Sequence, residues 1–97
     1  MATYLMLFNF TRKGMENVKE SPARVEELKQ AFRKAGAEIK EFYALLGRYD
    51  TAFIAEAPDD ETIARLALAI GSKGNVRSET LRAFTIDEFR KMVAAIP

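Results

Sequence analysis

Tyr4–Leu5–Met6–Leu7–Phe8–Asn9–Phe10 decides how this chain folds, because six of its seven side chains are apolar. A short apolar run rich in aromatic residues reads as a buried strand. Successive side chains of a strand point to opposite sides, so both faces of this one are apolar. A chain of 97 residues has too few helices to cover two faces of a sheet. The expectation is a sheet with helices on one face and a second subunit on the other.

Working outward, Thr3–Phe10 is the first strand. Thr11 is placed to cap a short helical turn over Arg12–Val18, which Gly14 weakens. Ser21–Pro22 starts a longer helix, with serine at the N-cap and proline at the first helical position. Val25, Leu28 and Phe32 give it an apolar face, and Lys34–Ala35–Gly36 ends it. Glu38–Leu46 is the second strand. Gly47–Arg48 makes a tight turn, and Asp50–Ala57 returns antiparallel. Asp59 caps the next helix, whose stripe is Ile63, Leu66, Ala67 and Ile70. Gly71–Ser72–Lys73–Gly74 closes that helix as a C-cap and turn. Asn75–Phe84 is the last strand. Thr85–Ile86–Asp87–Glu88 is a capping box for a C-terminal helix with Phe89, Met92, Val93 and Ile96 on one side.

The order β-α-β-β-α-β plus a terminal helix is the ferredoxin-like α+β pattern, here one domain over residues 1–97. Right-handed crossovers place both long helices on one face of an antiparallel sheet, with the first and third strands central.

Composition narrows the chemistry. Fifteen basic residues against 14 acidic ones give a net charge of +1. That balance offers no long-range attraction for nucleic acid or an anionic membrane. The apolar run is too short to span a bilayer, and Met1–Ala2–Thr3 carries no charge ahead of it. A cytoplasmic protein is expected. Cysteine and histidine are absent, which removes thiolate nucleophiles, Ser-His-Asp triads and Cys/His zinc sites. No metal site or cofactor is expected, and acid–base work would fall to Asp, Glu, Tyr or Lys.

Period-2 alternation divides each strand into two faces. Phe8, Phe42, Phe53 and Leu81 are assigned to the helix-covered core. Leu5, Leu7, Asn9, Tyr43, Ala52, Ile54, Glu56, Thr80 and Arg82 are assigned to the open face. A bulge in any strand flips part of this assignment. An exposed apolar patch of this kind marks an interface.

The hairpin Leu45–Leu46–Gly47–Arg48–Tyr49–Asp50 is the most specific motif. With it go Asn9–Phe10–Thr11, Lys40–Glu41–Phe42–Tyr43, Ala57–Pro58–Asp59–Asp60, Gly74–Asn75–Val76–Arg77 and Glu79–Thr80–Leu81–Arg82–Ala83–Phe84. In these residues the chain resembles the GYD domain family along nearly its full length. It is also similar to the ligand-sensing domain of the Lrp/AsnC regulators, which bind amino acids at subunit interfaces, but it lacks their helix-turn-helix segment. Both resemblances imply a dimeric α+β barrel. That group includes haem-binding members, from which this chain departs by having no histidine.

The candidate ligand-binding residues are Asn9, Tyr43, Tyr49, Asp50, Glu56, Thr80 and Arg82. Each has a structural alternative: turn geometry for Tyr49 and Asp50, edge packing for Tyr43, an interfacial ion pair for Glu56 and Arg82. Arg82 suits bidentate carboxylate or phosphate recognition, and a buried Glu56 suits acid–base work. The leading expectation is a homo-oligomer binding a small molecule between the sheet and its partner subunit. A cofactor-independent enzyme and a purely structural interaction module are the alternatives.

Overall fold

A computed structural model describes residues 1–97. Its elements are β1 (Ala2–Phe10), α1 (Arg12–Glu16), a 3₁₀ turn at Val18–Glu20, α2 (Ser21–Lys34), β2 (Glu38–Ala44), β3 (Thr51–Ala57), α3 (Asp60–Ser72), β4 (Val76–Ala83) and α4 (Ile86–Ala94). The four strands form one antiparallel sheet in the order β2-β3-β1-β4. The central pair is therefore the first and third strands, as the connection rules require.

Alternation along β1 divides the sheet. Tyr4, Met6 and Phe8 are buried, while Leu5, Leu7 and Asn9 are half-buried. The buried set meets Phe53, Ala55 and Ala57 of β3, and helices α2 and α3 close over them with Phe32, Ile63, Leu66 and Ile70. Phe53 is the hub of this core. Its ring lies 4.7 Å from Phe8, 5.4 Å from Phe42 and 6.3 Å from Phe32, the last edge-on. Tilted and edge-on pairs at these distances satisfy the ring quadrupoles as well as burying area.

Helix ends follow local chemistry. Thr11 caps α1 by accepting from the Gly14 amide at 3.1 Å. Asp59 caps α3 by accepting from the Thr62 amide and hydroxyl at 2.9 and 2.7 Å. These bonds hold the Asp59 carboxyl below its ordinary range. The start of α2 departs from expectation. Glu20 is the N-cap and Ser21 is already helical, because the 3₁₀ turn at Val18–Glu20 feeds directly into the helix.

Two further differences concern register. A bulge between Ile39 and Glu41 lets both Ile39 and Phe42 face the helices. In β4, Leu81 stands opposite Leu5, whereas Thr80 and Arg82 stand opposite Met6 and Tyr4. Directly opposed residues share a face. Leu81 therefore belongs to the open face, and Thr80 and Arg82 to the helix side, the reverse of the sequence assignment. The physical reason is that β4 is an edge strand. Its helix-side positions lie at the rim of the covered layer, where Ser78, Thr80 and Arg82 remain solvated.

The Cα radius of gyration is 14.6 Å, against about 12.5 Å for a compact chain of this length. Helix α4 contributes no fully buried residue. Its capping box is complete, with Glu88 N donating to Thr85 Oγ1 at 3.2 Å and Thr85 N donating to Glu88 Oε1 at 2.8 Å. Yet Phe89 is 54% exposed, and Met92, Val93 and Ile96 are similarly open.

Candidate functional site: the uncovered sheet face and its hairpin

Cross-strand pairing builds the open face row by row. Ile54, Leu5 and Leu81 form one row across β3, β1 and β4, extended to Glu41 on β2. Tyr43, Ala52, Leu7 and Glu79 form the next. The two rows make an apolar patch on which Leu81 is 41% and Tyr43 51% exposed. Helices α2 and α3 pack on the other side of the sheet, and no side chain of these two rows belongs to the core cluster that they close.

One end of the patch is acidic and the other carries both signs of charge, Arg77 with Glu79 and Asp50. Glu38 faces Glu56 directly, with Glu41 in the adjoining row and no cation paired to any of the three. Like charges placed opposite one another on a sheet are destabilising in isolation. At the other end Arg77 stands beside Asn9, close to the hairpin that carries Arg48.

The hairpin loop 45–50 is longer than the two-residue turn expected. The Leu45 amide donates to the Asp50 carbonyl at 2.8 Å to close it. Gly47 has φ 140°, a conformation that L side chains rarely adopt. Asp50 fastens the loop to the end of β1: its amide donates to the Phe8 carbonyl at 2.9 Å, and its Oδ2 accepts from the Phe10 amide at 2.9 Å. Tyr49 reaches past β1 to β4, where its hydroxyl donates to Glu79 Oε1 at 2.5 Å. That bond raises the Tyr49 pKa, since losing the phenolic proton would place two anions together.

The candidate residues thus fall into three groups. Asn9, Tyr43 and Glu56 lie on the open face, but Asn9 and Glu56 stand at opposite ends. Glu56 pairs with Thr3, six residues from Asn9 along the strand, a separation of roughly 20 Å. Tyr43 donates to Glu41 at 3.3 Å at the patch edge. Tyr49 and Asp50 clasp the hairpin. Thr80 and Arg82 are on the far side of the sheet. Arg82 lies 5.5 Å from the centre of the Tyr4 ring and 4.4 Å from that of Phe84, and it donates to the carbonyls of Thr3 and Ala83. The expected polar cluster of Asn9, Glu56, Thr80 and Arg82 is therefore not assembled. Sequence reasoning also missed the Tyr49–Glu79 clasp, which joins residues thirty positions apart. The alternating glutamate of an edge strand opposite a hairpin tyrosine was its one available signal.

No helix is long and apolar enough to cross a membrane. On the covered side, Tyr4 donates its hydroxyl to Asp60 Oδ1 at 2.5 Å. Burial first, and this bond second, push the Tyr4 pKa up to about 12.

Comparison with known proteins agrees with this architecture. A Thermus thermophilus protein named "Glutamine synthetase and cystathionine beta-lyase binding protein" is 36% identical over 87 residues, 89% of this chain and 92% of that one. The crystal structure of TTHA0845 from Thermus thermophilus superposes with a TM-score of 0.56 at 26% identity, covering 88% of this chain and 95% of that one. The crystal structure of FFRP-DM1 shares the fold, with a TM-score of 0.62 at 20% identity over 87% of this chain and all of that one. Residues 4–93 match the GYD domain, and with a relative this similar across its length the chain belongs to the GYD domain family.

Proposed function

We propose that this protein is a self-associating binding module, in which the open sheet face is buried by a second copy and the assembly presents α4 to partner proteins. The observation that carries the proposal is the apolar patch of Leu5, Leu7, Ile54, Leu81 and Tyr43, which the helix-covered core does not include and on which Leu81 and Tyr43 are exposed. Full burial of a leucine or isoleucine is worth roughly 1.5–3 kcal/mol, and these half-buried side chains forgo part of it.

The charge pattern favours a second copy as the occupant. A two-fold axis lying in the interface and running diagonally to the strands, so that the two sheets cross steeply, sets the Glu38, Glu41 and Glu56 corner of one copy over the Arg77 corner of the other. The unpaired glutamates of each copy then meet cations, and the same surface serves both partners. The related Thermus protein is named for binding two enzymes, which supports a protein-binding role; the exposed apolar stripe of α4 is the surface proposed for it. The patch holds no converging set of acid, base and nucleophile, so a binding role is preferred over catalysis.

Light scattering tests this reading. The wild-type chain is expected to be a dimer or larger at micromolar concentration. Leu7→Glu is expected to be a folded monomer, because a solvent-facing glutamate is tolerated on a free sheet face but not in an apolar interface. Leu68→Glu, at a 73% exposed position on α3 away from the patch, serves as the control and should leave the assembly intact. A monomeric wild type, or a Leu7→Glu chain that still assembles, would reject the proposal.

A further inference from the structure

On the opposite side of the sheet, α2 stands against β2 and α3 against β3 and β4. Between them, at the end where β1 runs into Phe10, lies a pocket of about 130 Å³. Its floor is the aromatic cluster Phe8, Phe42 and Phe53, and one wall is the Val25, Leu28 and Ala31 face of α2. A closed apolar cavity of about 150 Å³ takes up benzene, so this space suits one aromatic ring.

The rim is not apolar. Arg24 and Lys73 line it, with Glu27 as the sole carboxylate. Arg24 is held in place by uncharged partners: its Nη2 donates to the Asn17 carbonyl at 3.2 Å and to Ser21 Oγ at 3.0 Å. Lys13 joins the same corner, its Nζ donating to the Lys73 carbonyl at 2.8 Å. The chain contains three ion pairs, and none of these cations takes part in one. An arginine fixed by neutral groups keeps its charge and its remaining donors free for an anion.

We propose that this pocket binds a small aromatic carboxylate, with the ring on Phe8, Phe42 and Phe53 and the carboxylate between Arg24 and Lys73. An aromatic ring without a charge leaves the rim cations unpaired, and an aromatic amine meets two to three cations against one glutamate. A carboxylate without a ring leaves the apolar floor unfilled. The pocket is complete within one chain and lies on the helix-covered side of the sheet, so its occupancy and the assembly of the open face succeed or fail separately.

Phenylacetate, benzyl alcohol, benzylamine and acetate are the probes, titrated into the full chain and followed by amide chemical shifts. Phenylacetate is expected to saturate in the millimolar range appropriate to so small a ligand, shifting residues 24–31 and 75–76. It should bind about ten-fold more tightly than benzyl alcohol, the difference that one charge-assisted hydrogen bond supplies. Benzylamine and acetate should give no saturable shifts. Arg24→Gln should retain benzyl alcohol binding and lose the phenylacetate preference. Ala31→Phe should block both rings; where it perturbs folding, Ala31→Leu with an unchanged circular dichroism spectrum serves instead. Absence of saturable phenylacetate shifts, benzylamine binding as tight as phenylacetate, or an unchanged preference in Arg24→Gln would each overturn the proposal.

Discussion

Replacing Gly14 by alanine sets two physical effects against each other. Gly14 lies inside α1, where alanine is the better helix former by about 1 kcal/mol. On propensity alone Gly14→Ala is stabilising. The structure predicts the opposite sign. A Cβ at this position falls 1.9 Å from the carbonyl oxygen of Asn75 and 2.8 Å from its carbonyl carbon. Both are backbone atoms, so no side chain can swing aside. That same carbonyl accepts from the Thr11 amide at 3.0 Å, and Thr11 Oγ1 donates to the neighbouring Gly74 carbonyl at 2.5 Å. Relieving the clash pushes α1 from the strand entry and breaks at least one of these bonds. Overpacking costs roughly 1–3 kcal/mol and a buried group left without its partner a further 1–3 or so. Against a propensity gain of about 1, the net destabilisation is about 1–5 kcal/mol, equivalent to a fall in Tm of at least roughly 5 °C in a domain of this size. Gly71 provides the matched control. It is also helical, but nothing lies within 4 Å of a Cβ built there, so Gly71→Ala should raise stability by up to about 1 kcal/mol. Urea unfolding followed by circular dichroism measures both. If Gly14→Ala is as stable as the wild type, the close docking of α1 on the Asn75 backbone is wrong.

Two further outcomes follow from ionisable and capping groups. Tyr4 has a folded-state pKa of about 12 against about 10 in the unfolded chain. Its contribution is therefore complete below pH 10 or so and is lost as pH rises toward 12, amounting to roughly 2 kcal/mol at the upper end. Tyr4→Phe should be less stable than the wild type by about 1 kcal/mol at neutral pH, having lost the bond to Asp60. It should draw level or overtake near pH 12, and parallel stability curves for the two proteins would contradict this. In α4, Thr85→Ala removes the cap and should cost that helix about 1 kcal/mol. Since α4 has no fully buried residue, amide exchange should accelerate in residues 86–94 while the sheet is unaffected. The Glu88 carboxyl is held below its usual range chiefly by the Thr85 amide, so the cap persists above the ordinary glutamate pKa and is released as pH falls through the lowered one.

The element order and central strands were legible because they depend on patterns that local chemistry writes plainly. Thr11, Asp59 and the Thr85–Glu88 box cap the helices where side-chain oxygens meet free amides, and β1 shows its burial by composition alone. The faces of β4 were not legible. Apart from Val76, Leu81 and Ala83 its residues are polar, so alternation has little to act on. Placing Leu81 in the core assumed that the covered side must take the leucine. Register against β1 decides otherwise, and it brings Leu81 beside Leu5, where the apolar row is completed by a residue from three strands further along the chain. The bulge in β2 defeats alternation in a different way. Ile39 and Phe42 are three residues apart, which reads as helical spacing unless the extra residue is known. The polar cluster failed because it inherited the β4 error: with Thr80 and Arg82 on the other side, Asn9 and Glu56 have nothing between them but apolar rows. The pocket beneath α2 was invisible for another reason, since it exists only in the gap between two helices whose separation no sequence pattern encodes.

The Gly-Arg-Tyr-Asp hairpin ties these two surfaces together. Asp50 fixes the amide of Phe10, and the ring of Phe10 lines the pocket below the sheet. Tyr49 fixes Glu79 on the open face above it. The same end of β1 passes directly into Thr11, whose amide holds Asn75, another pocket residue. A single corner therefore carries the rim of the proposed assembly surface and the edge of the proposed ligand pocket. A ligand in the proposed pocket would lie beneath a strand end clamped by Asp50, and a second copy docked on Leu7 and Glu79 would lie on the other side of that clamp. The two proposed surfaces stand or fall independently, but where both exist they share the last residues of β1, so a shift there would reach both. If binding in the pocket alters the strength of assembly, linkage requires that assembly alter pocket affinity by the same factor. The motif residues therefore need touch neither ligand nor partner to matter for both proposed surfaces, because Asp50 and Tyr49 tie the hairpin to β1 and β4 at the corner that the two would share.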